Sequence, residues 1–489
     1  VRLVVAPDPS LEFPDSEEQA VAWFLDRNHA SWNALQTDYG PLRMKRLLSP
    51  ATRDAMREIV EDLRAESPGY RWPRFADDFL VEAPDASNAG AITKRLNAWA
   101  DVHLACVYAE SELASVVLPT ASNGCDPYFA QQSYLRPGPA GIGAECVWPL
   151  SNGSGYAGAD GDGVALVDIE TGFNPDHEDL AAHFQPLGQN PRTPIQGVNA
   201  TPEARHGTQV LGILCARNND KGCCGIVPNL THIAFASIRN PSPPPIDLIR
   251  SDVLCATVSY LRRRLRIRGG VILIELALKQ ALGIPNGSPV ELQQDDFDAI
   301  RFACDAGCIV IEPAGNGGHD LDQIVHPPLP DINHCISGAI LVAASGLKTM
   351  PSPVPHGPPV CSHVPLRDSG GRRTNIGSRV DCFANGGGVT TCDQPPTSAL
   401  NNHYCHDFGK TSAASAIIAG AALSLQGMAT VRLGRPLRPT EMRWLLKNPN
   451  LATMSERGLQ DKIGVMPDLA KIAKLLKSYS PKTLRLFLP

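Results

Sequence analysis

Residues 163–172 read GVALVDIETG. Apolar residues fill the run without alternation, and acidic residues and a glycine close it. A strand buried on both faces reads this way, because neither side can face water. Four further runs share the character: HIAFASIR (232–239), GGVILIEL (269–276), CIVIEPAGN (308–316) and AILVAAS (339–345). Helical periodicity occupies 206–217, 246–267 and 291–306 between them. Strands alternating with helices predict an α/β fold with a doubly wound, mainly parallel sheet. In such sheets functional groups gather at the carboxyl ends of the strands.

Upstream, the pattern is smaller in scale. VRLVVA (1–6), DDFLVEAP (77–84) and DVHLACVYAE (101–110) read as strands, and 17–30, 50–66 and 89–100 as helices. This predicts a small α+β domain over 1–112, with helices on one face of its sheet. Residues 113–160, rich in Gly, Pro and Asn, read as a linker and lead-in, and 161–489 as the large domain. The proline-rich stretches at 241–245, 327–330 and 351–365 read as surface loops. Residues 411–431 are nearly uncharged and about a bilayer long, but their Ala, Ser and Gly content fits a helix buried in a protein core better than a span.

Composition narrows the function. The 489 residues carry 44 Lys plus Arg against 50 Asp plus Glu, a net charge of −6 that disfavours nucleic acid as a partner. The 14 cysteines include no Cys-x-x-Cys, so disulfides in an oxidising compartment are expected rather than zinc, with Cys392 and Cys405 closing a loop. Sequons at Asn152, Asn199, Asn229 and Asn286 suit a secreted chain. The chain starts at Val1 with no leader, so any signal peptide is expected to have been removed.

Four residues stand where chemistry is expected. Asp168 ends the first strand, His206 opens a helix in ARHGTQVLGILCA, Asn316 follows a strand in PAGNGG, and Ser412 lies at the first turn of the small-residue helix in FGKTSAASAIIAG. A serine hydroxyl needs a base, histidine titrates near neutrality, a carboxylate fixes the histidine tautomer, and an oxyanion needs preset donors. Each has a plainer reading beside it: Asn316 as a turn residue between glycines, Ser412 as a helix N-cap.

The order Asp, His, Asn, Ser and the motifs around them resemble the subtilisin-like serine peptidases. His206-Gly207-Thr208-Gln209-Val210-Leu211-Gly212 meets the histidine motif in full, and Ala314-Gly315-Asn316 meets the oxyanion motif. His177-Glu178-Asp179-Leu180 matches a further family segment, and TNIGSRVDCFANGG (374–387) and the closing helices add to the likeness. The chain departs from the pattern in three places. Two extra residues separate Asp168 from Gly172, Lys410 replaces a glycine, and Ala416 replaces a proline.

The resemblance implies a secreted endopeptidase acting on polypeptides, with Ser412 as nucleophile, His206 as base, Asp168 orienting it and Asn316 in the oxyanion hole. It implies that the 1–112 unit is an inhibitory propeptide, cleaved somewhere between residues 107 and 160. GGVILIEL would pair with extended substrate, with Leu276, Ala314 and Gly315 lining the cleft and Glu275 facing a basic side chain. No cofactor is required. Family members often hold structural calcium, for which the sequence places no ligands, and His319, Asp320 and Asp322 read as a solvated loop. Neither a membrane nor a nucleic acid is an expected partner. Lys410 and Ala416 keep a second reading open, a catalytically impaired scaffold that binds peptides or partner proteins. The order of the residues disfavours an α/β-hydrolase, which would run Ser, Asp, His.

Overall fold

The computed structural model describes residues 1–14, 16–109, 111–112, 128–149, 154–184, 202–240, 246–281, 283–324, 336–350, 360–367, 373–395 and 400–478. Asn152, Asn199, both short proline stretches and most of 351–365 lie outside them, as do residues 110, 113–127 and 150–153 of the region between 107 and 160 in which cleavage is expected.

The N-terminal unit is a four-stranded antiparallel sheet. β1 (Arg2–Pro7) lies between β3 (Phe79–Glu82) and β4 (Val102–Val107), and β2 (Arg43–Arg46) pairs with β3 at the edge. Alternation along β1 sorts its side chains. Leu3 and Val5 join Phe24, Trp32, Phe79 and Val81 in one core, while Val4 joins Met56, Ile59 and Leu80 in the other. The first face is covered by α1 (Glu17–Arg27), α2 (His29–Tyr39) and α4 (Ala89–Leu96), the second by α3 (Pro50–Glu66). Helices therefore cover both faces, not one. The chain breaks at Asn28, so the single helix expected over 17–30 is two helices. Ser16 and Ser49 cap α1 and α3 by accepting from the Gln19 and Thr52 N–H groups, and Pro50 takes the first helical position.

The large domain is built on seven strands. The path runs β14 (Val360–Pro365), β13 (Ile340–Met350), β12 (Ile309–Pro313), β10 (Val271–Ile274), β6 (Ala165–Glu170), β7 (His232–Ser237), and β15 (Cys382–Asn385) also pairs with β13. All pairs are parallel except β13 with β14. The sheet is thus mainly parallel, as expected from its unbroken apolar runs. Every residue of β6, β10 and β12 is buried. Shorter elements decorate it: β5 (Ser111–Glu112), α5 (Ala181–Phe184), the pair β8 (Arg239–Asn240) and β9 (Ile246–Asp247), β11 (Ala277–Leu278), and the hairpin β16 (Val389–Asp393) with β17 (His403–Phe408).

Strand order locates the crevice. From β6 the chain crosses through α6 (Pro202–Cys215) to β7 on one side. It then returns past β6 through α7 (Arg250–Ser259) to β10 and moves outward through α8 (Gln294–Asp305) to β12. The direction reverses between β6 and β10, which opens a cleft at their carboxyl ends. Right-handed crossovers put α6 on one face and α7 with α8 on the other. Helix α9 (Lys410–Leu433) packs on α6 and on β10, β12, β13 and β15. It is long and apolar enough to cross a membrane, yet Thr411 to Ala429 are all buried inside the fold, as their composition suggested.

The two units meet along α3 and α7. Beyond β4, the Ala109 N–H donates to Gln293 Oε1 (3.1 Å), and Arg250 donates to the Ala109 carbonyl (2.6 Å). The backbone then forms β5, antiparallel to β11, with Glu112 opposite Ala277 and Ser111 opposite Leu278. This pairing corrects one expectation. GGVILIEL cannot offer its strand edge to a peptide, because β10 is interior, hydrogen-bonded to β6 and β12. The edge that pairs with an extended segment belongs to the two residues just past it, Ala277 and Leu278.

The expected disulfides are absent among the described residues, whose twelve cysteines are all free thiols. Cys392 faces Tyr404 across the hairpin and Cys405 faces Thr391. Neighbouring pairs on a strand point to opposite faces, so the two sulfurs are turned apart.

Candidate active site

Four segments converge at the crevice. Glu170 ends β6, His206 sits in the first turns of α6, Glu275 follows β10, and Ser412 lies in the first turn of α9. Helix α6 approaches β6 closely because residue 207 is glycine. A Cβ there would lie 2.2 Å from the Gly172 carbonyl oxygen and 3.0 Å from Glu170 Cγ.

The carboxylate at the histidine is Glu170, not Asp168. Glu170 Oε2 accepts a short hydrogen bond from His206 Nδ1. Its Oε1 accepts from the Thr171 N–H (2.8 Å) and hydroxyl (3.2 Å), so the side chain is held at both oxygens. Asp168 points to the same face of the strand but two residues earlier, about 6–7 Å back along it. It is fully buried and neither of its oxygens has a hydrogen-bond partner among the described residues. Burial, with the nearby Glu170 charge, pushes the Asp168 carboxyl well above its usual range. An available signal was the spacing. Glu170-Thr171-Gly172 keeps the acid-x-Gly interval of the family, with Glu in place of Asp, and accounts for the two surplus residues.

His206 is 1% exposed, and its Nε2 has no hydrogen-bond partner among the described residues. With Nδ1–H committed to Glu170, Nε2 is the basic nitrogen. Burial opposes the imidazolium, but Glu170, and beyond it Glu275, outweigh this, so the His206 pKa is raised, with Lys410 acting against them.

Glu275 does not face the cleft as a receptor for a basic side chain. It is 2% exposed and accepts from the Ser415 hydroxyl at 2.5 Å. Burial drives its own carboxyl well above the usual range. A second acid therefore lies beneath the histidine, tied to the helix that carries Ser412. Activity requiring neutral His206 should fall as pH drops through a midpoint above the ordinary imidazole value of about 6.5. Glu170→Gln, which removes the largest charge favouring the imidazolium, should move that midpoint to lower pH. A kcat/KM profile with the same acid limb in both proteins would contradict this role.

Ser412 is 4% exposed. Its turn is fixed on both sides: Ser415 by Glu275, and Thr411 by Asn316, whose Oδ1 accepts from the Thr411 N–H (3.2 Å) and hydroxyl (3.0 Å). Those two donors orient the Asn316 amide and leave Nδ2 as its donating end. The Ala314 and Gly315 carbonyls both accept from Asn375, at 2.7 and 2.9 Å. Gly315 has φ +92°, and a Cβ there would lie 2.0 Å from the Gly287 carbonyl oxygen. Leu276 is buried just before β11.

Lys410, where the family has glycine, adopts φ +65°. A side chain in this left-handed region strains the backbone. Lys410→Gly should therefore raise the unfolding free energy by about 1 kcal/mol. Denaturant titration checks this, and a fall in stability would show that the lysine's own contacts outweigh the strain.

Two candidate metal clusters are occupied by protein groups. Asp320 and Asp322 pair with Lys462 at 2.9 and 2.8 Å. His177 uses both ring nitrogens, accepting from the Asp179 N–H and donating to the His403 carbonyl, which leaves none for an ion beside Asp179 and Cys392.

No family model matches the chain. It is 28% identical over 198 residues to thermitase from Thermoactinomyces vulgaris, covering 40% of this chain and 58% of thermitase. It is 28% identical over 173 residues to subtilisin DY from Bacillus licheniformis (35% and 52% covered). It is 33% identical over 118 residues to human proprotein convertase subtilisin/kexin type 4 (23% and 14%). The matches thus span little more than half of the bacterial relatives. Among solved structures, a protease from Pseudoalteromonas arctica PAMC 21717 aligns with TM-score 0.45 and 20% identity, over 73% of this chain and 100% of that one.

Proposed function

The chain is a relative of the subtilisin-like serine proteases, and from that premise we propose that it is a serine endopeptidase with a Glu170–His206–Ser412 triad. The observation that carries this reading is the Glu170–His206 hydrogen bond at the crevice between β6 and β10. Ser412 Oγ attacks the scissile carbonyl as His206 Nε2 takes its proton, and Glu170 stabilises the resulting imidazolium. Asn316 Nδ2 and backbone N–H groups at the start of α9 receive the oxyanion, where the helix dipole favours negative charge. His206 returns the proton to the leaving amine, and then takes a proton from the water that attacks the acyl-Ser412 ester, releasing the carboxylic acid and restoring the hydroxyl. No metal or cofactor is assigned a role.

The N-terminal unit is proposed to be an inhibitory propeptide, and the chain a secreted zymogen. The pairing of β5 with β11 supports this, since an extended segment of the unit already occupies the strand edge a substrate would use. The strained Lys410 favours the competing reading, a peptide-binding scaffold without activity. A fluorophosphonate probe separates the two. Labelling at Ser412 after removal of the N-terminal unit supports the enzyme, and no labelling supports the scaffold. Mass spectrometry of the incubated full chain reports processing. An active form that still begins at Val1 would defeat the zymogen reading.

A further inference from the structure

A groove of about 1100 Å³ lies at the opposite end of the sheet from the crevice. Gly269 and Gly307 line it just before β10 and β12, which places it at the amino ends of these strands. Its lining is basic. Seven Lys and Arg side chains face two carboxylates, Glu66 and Asp305. Beneath it, Glu441 pairs with both Arg435 and Arg438, and Asp381 with Arg443 and Lys447, which still leaves positive charge in excess. Arg301 is exposed and has no carboxylate within ion-pair distance among the described residues.

One rim of the groove already holds acidic polypeptide. The segment after α7 carries Arg262, Arg263, Arg264, Arg266 and Arg268. Helix α3 presents Glu58, Asp62 and Glu66 to it at intervals of four residues, one stripe of a helix. Glu58 and Asp62 pair with Arg263 at 2.5 and 3.2 Å, and Glu66 pairs with Arg268. Each of these pairs is exposed and individually weak, so another acidic segment can compete for the arginines.

We propose that this groove is an exosite for an acidic polypeptide segment, a stretch rich in Asp and Glu on a substrate or partner protein. Among the described residues, α3 reaches the side of the groove lined by Arg262 and Arg268, where Glu66 pairs with Arg268, while Arg301 on another side is exposed. The concave shape, and Glu66 lining it at the end of the acidic stripe of α3, favour a peptide over a flat anionic surface. The inference goes beyond the peptidase reading and does not need Ser412 to be reactive.

The test is fluorescence anisotropy of a labelled oligo-glutamate peptide titrated with the full chain. Binding should weaken with salt, and should fall roughly tenfold in R301E/R438E but not in K94E, a charge reversal on α4. E58Q/D62N/E66Q should bind tighter, because α3 no longer competes. Circular dichroism confirms that the variants fold. No binding, or equal loss in R301E/R438E and K94E, overturns the proposal. So does tight binding of a heparin oligosaccharide without binding of oligo-glutamate, which would make the occupant a sulfated glycan.

Discussion

Glu170→Gln should lower kcat/KM by about 10⁴-fold, while Asp168→Asn should change it less than about threefold. The amide keeps the shape of Glu170 but not its charge. It can present an N–H to His206 Nδ1 and so favour the wrong tautomer, and it cannot stabilise the imidazolium. Asp168 has no such partner. It sits two residues further into the core, where its nearest ionisable company includes Glu170 and the buried Cys215 thiol. Its substitution should instead appear in stability. The folded-state pKa of Asp168 is raised. The wild-type chain therefore loses stability as pH rises from the unfolded carboxyl value of about 3.9 toward the folded one, a loss that Asp168→Asn cannot show. The variant should gain relative to wild type between acid and neutral pH in paired denaturant titrations. A large activity loss in Asp168→Asn with an active Glu170→Gln would return the orienting role to Asp168.

Ser412→Ala should reduce turnover on the order of 10⁶-fold and abolish both self-cleavage and fluorophosphonate labelling. The residual rate would come from binding and from the oxyanion donors, which do not involve the hydroxyl. The neighbouring Ser415 is the necessary control. It is fully buried and donates to Glu275, so Ser415→Ala should keep the label and affect the rate through the orientation of the turn. Full-chain mass spectra would decide. A Ser412→Ala protein that still loses its N-terminal unit at the wild-type rate, in the absence of other peptidases, would remove the triad from that reaction.

Much of the site was legible because its motifs are local. HGTQVLG encodes both the histidine and the glycine that lets α6 approach β6, and Ala314-Gly315-Asn316 encodes a small residue, a positive φ and an amide in succession. Residue type points to Asp168, two residues before the acid that meets His206. Asp168 and Glu170 share a face of β6, and pattern alone does not say which of them reaches a histidine from another element. Glu275 looked like a cleft residue for the same reason. Whether a side chain after a strand turns toward solvent or toward Ser415 depends on a helix 140 residues away. Proximity in sequence suggests pairing the hairpin cysteines, whereas their alternate faces keep them apart.

The sequence by itself determined the unbroken apolar strands, their alternation with helices, and therefore a parallel sheet with its chemistry at one end, because runs so short, rich in Val and Ile and bounded by Gly and Pro, suit strands buried on both faces. It also determined that α9 would be a core helix, since small side chains allow close packing on strands. Only the tertiary structure decided which acid meets His206, which two residues pair with the extended segment after β4, and which arginines share a groove with Glu66 of α3. Each of these depends on register and on contacts between segments far apart in the chain, and no local pattern encodes them.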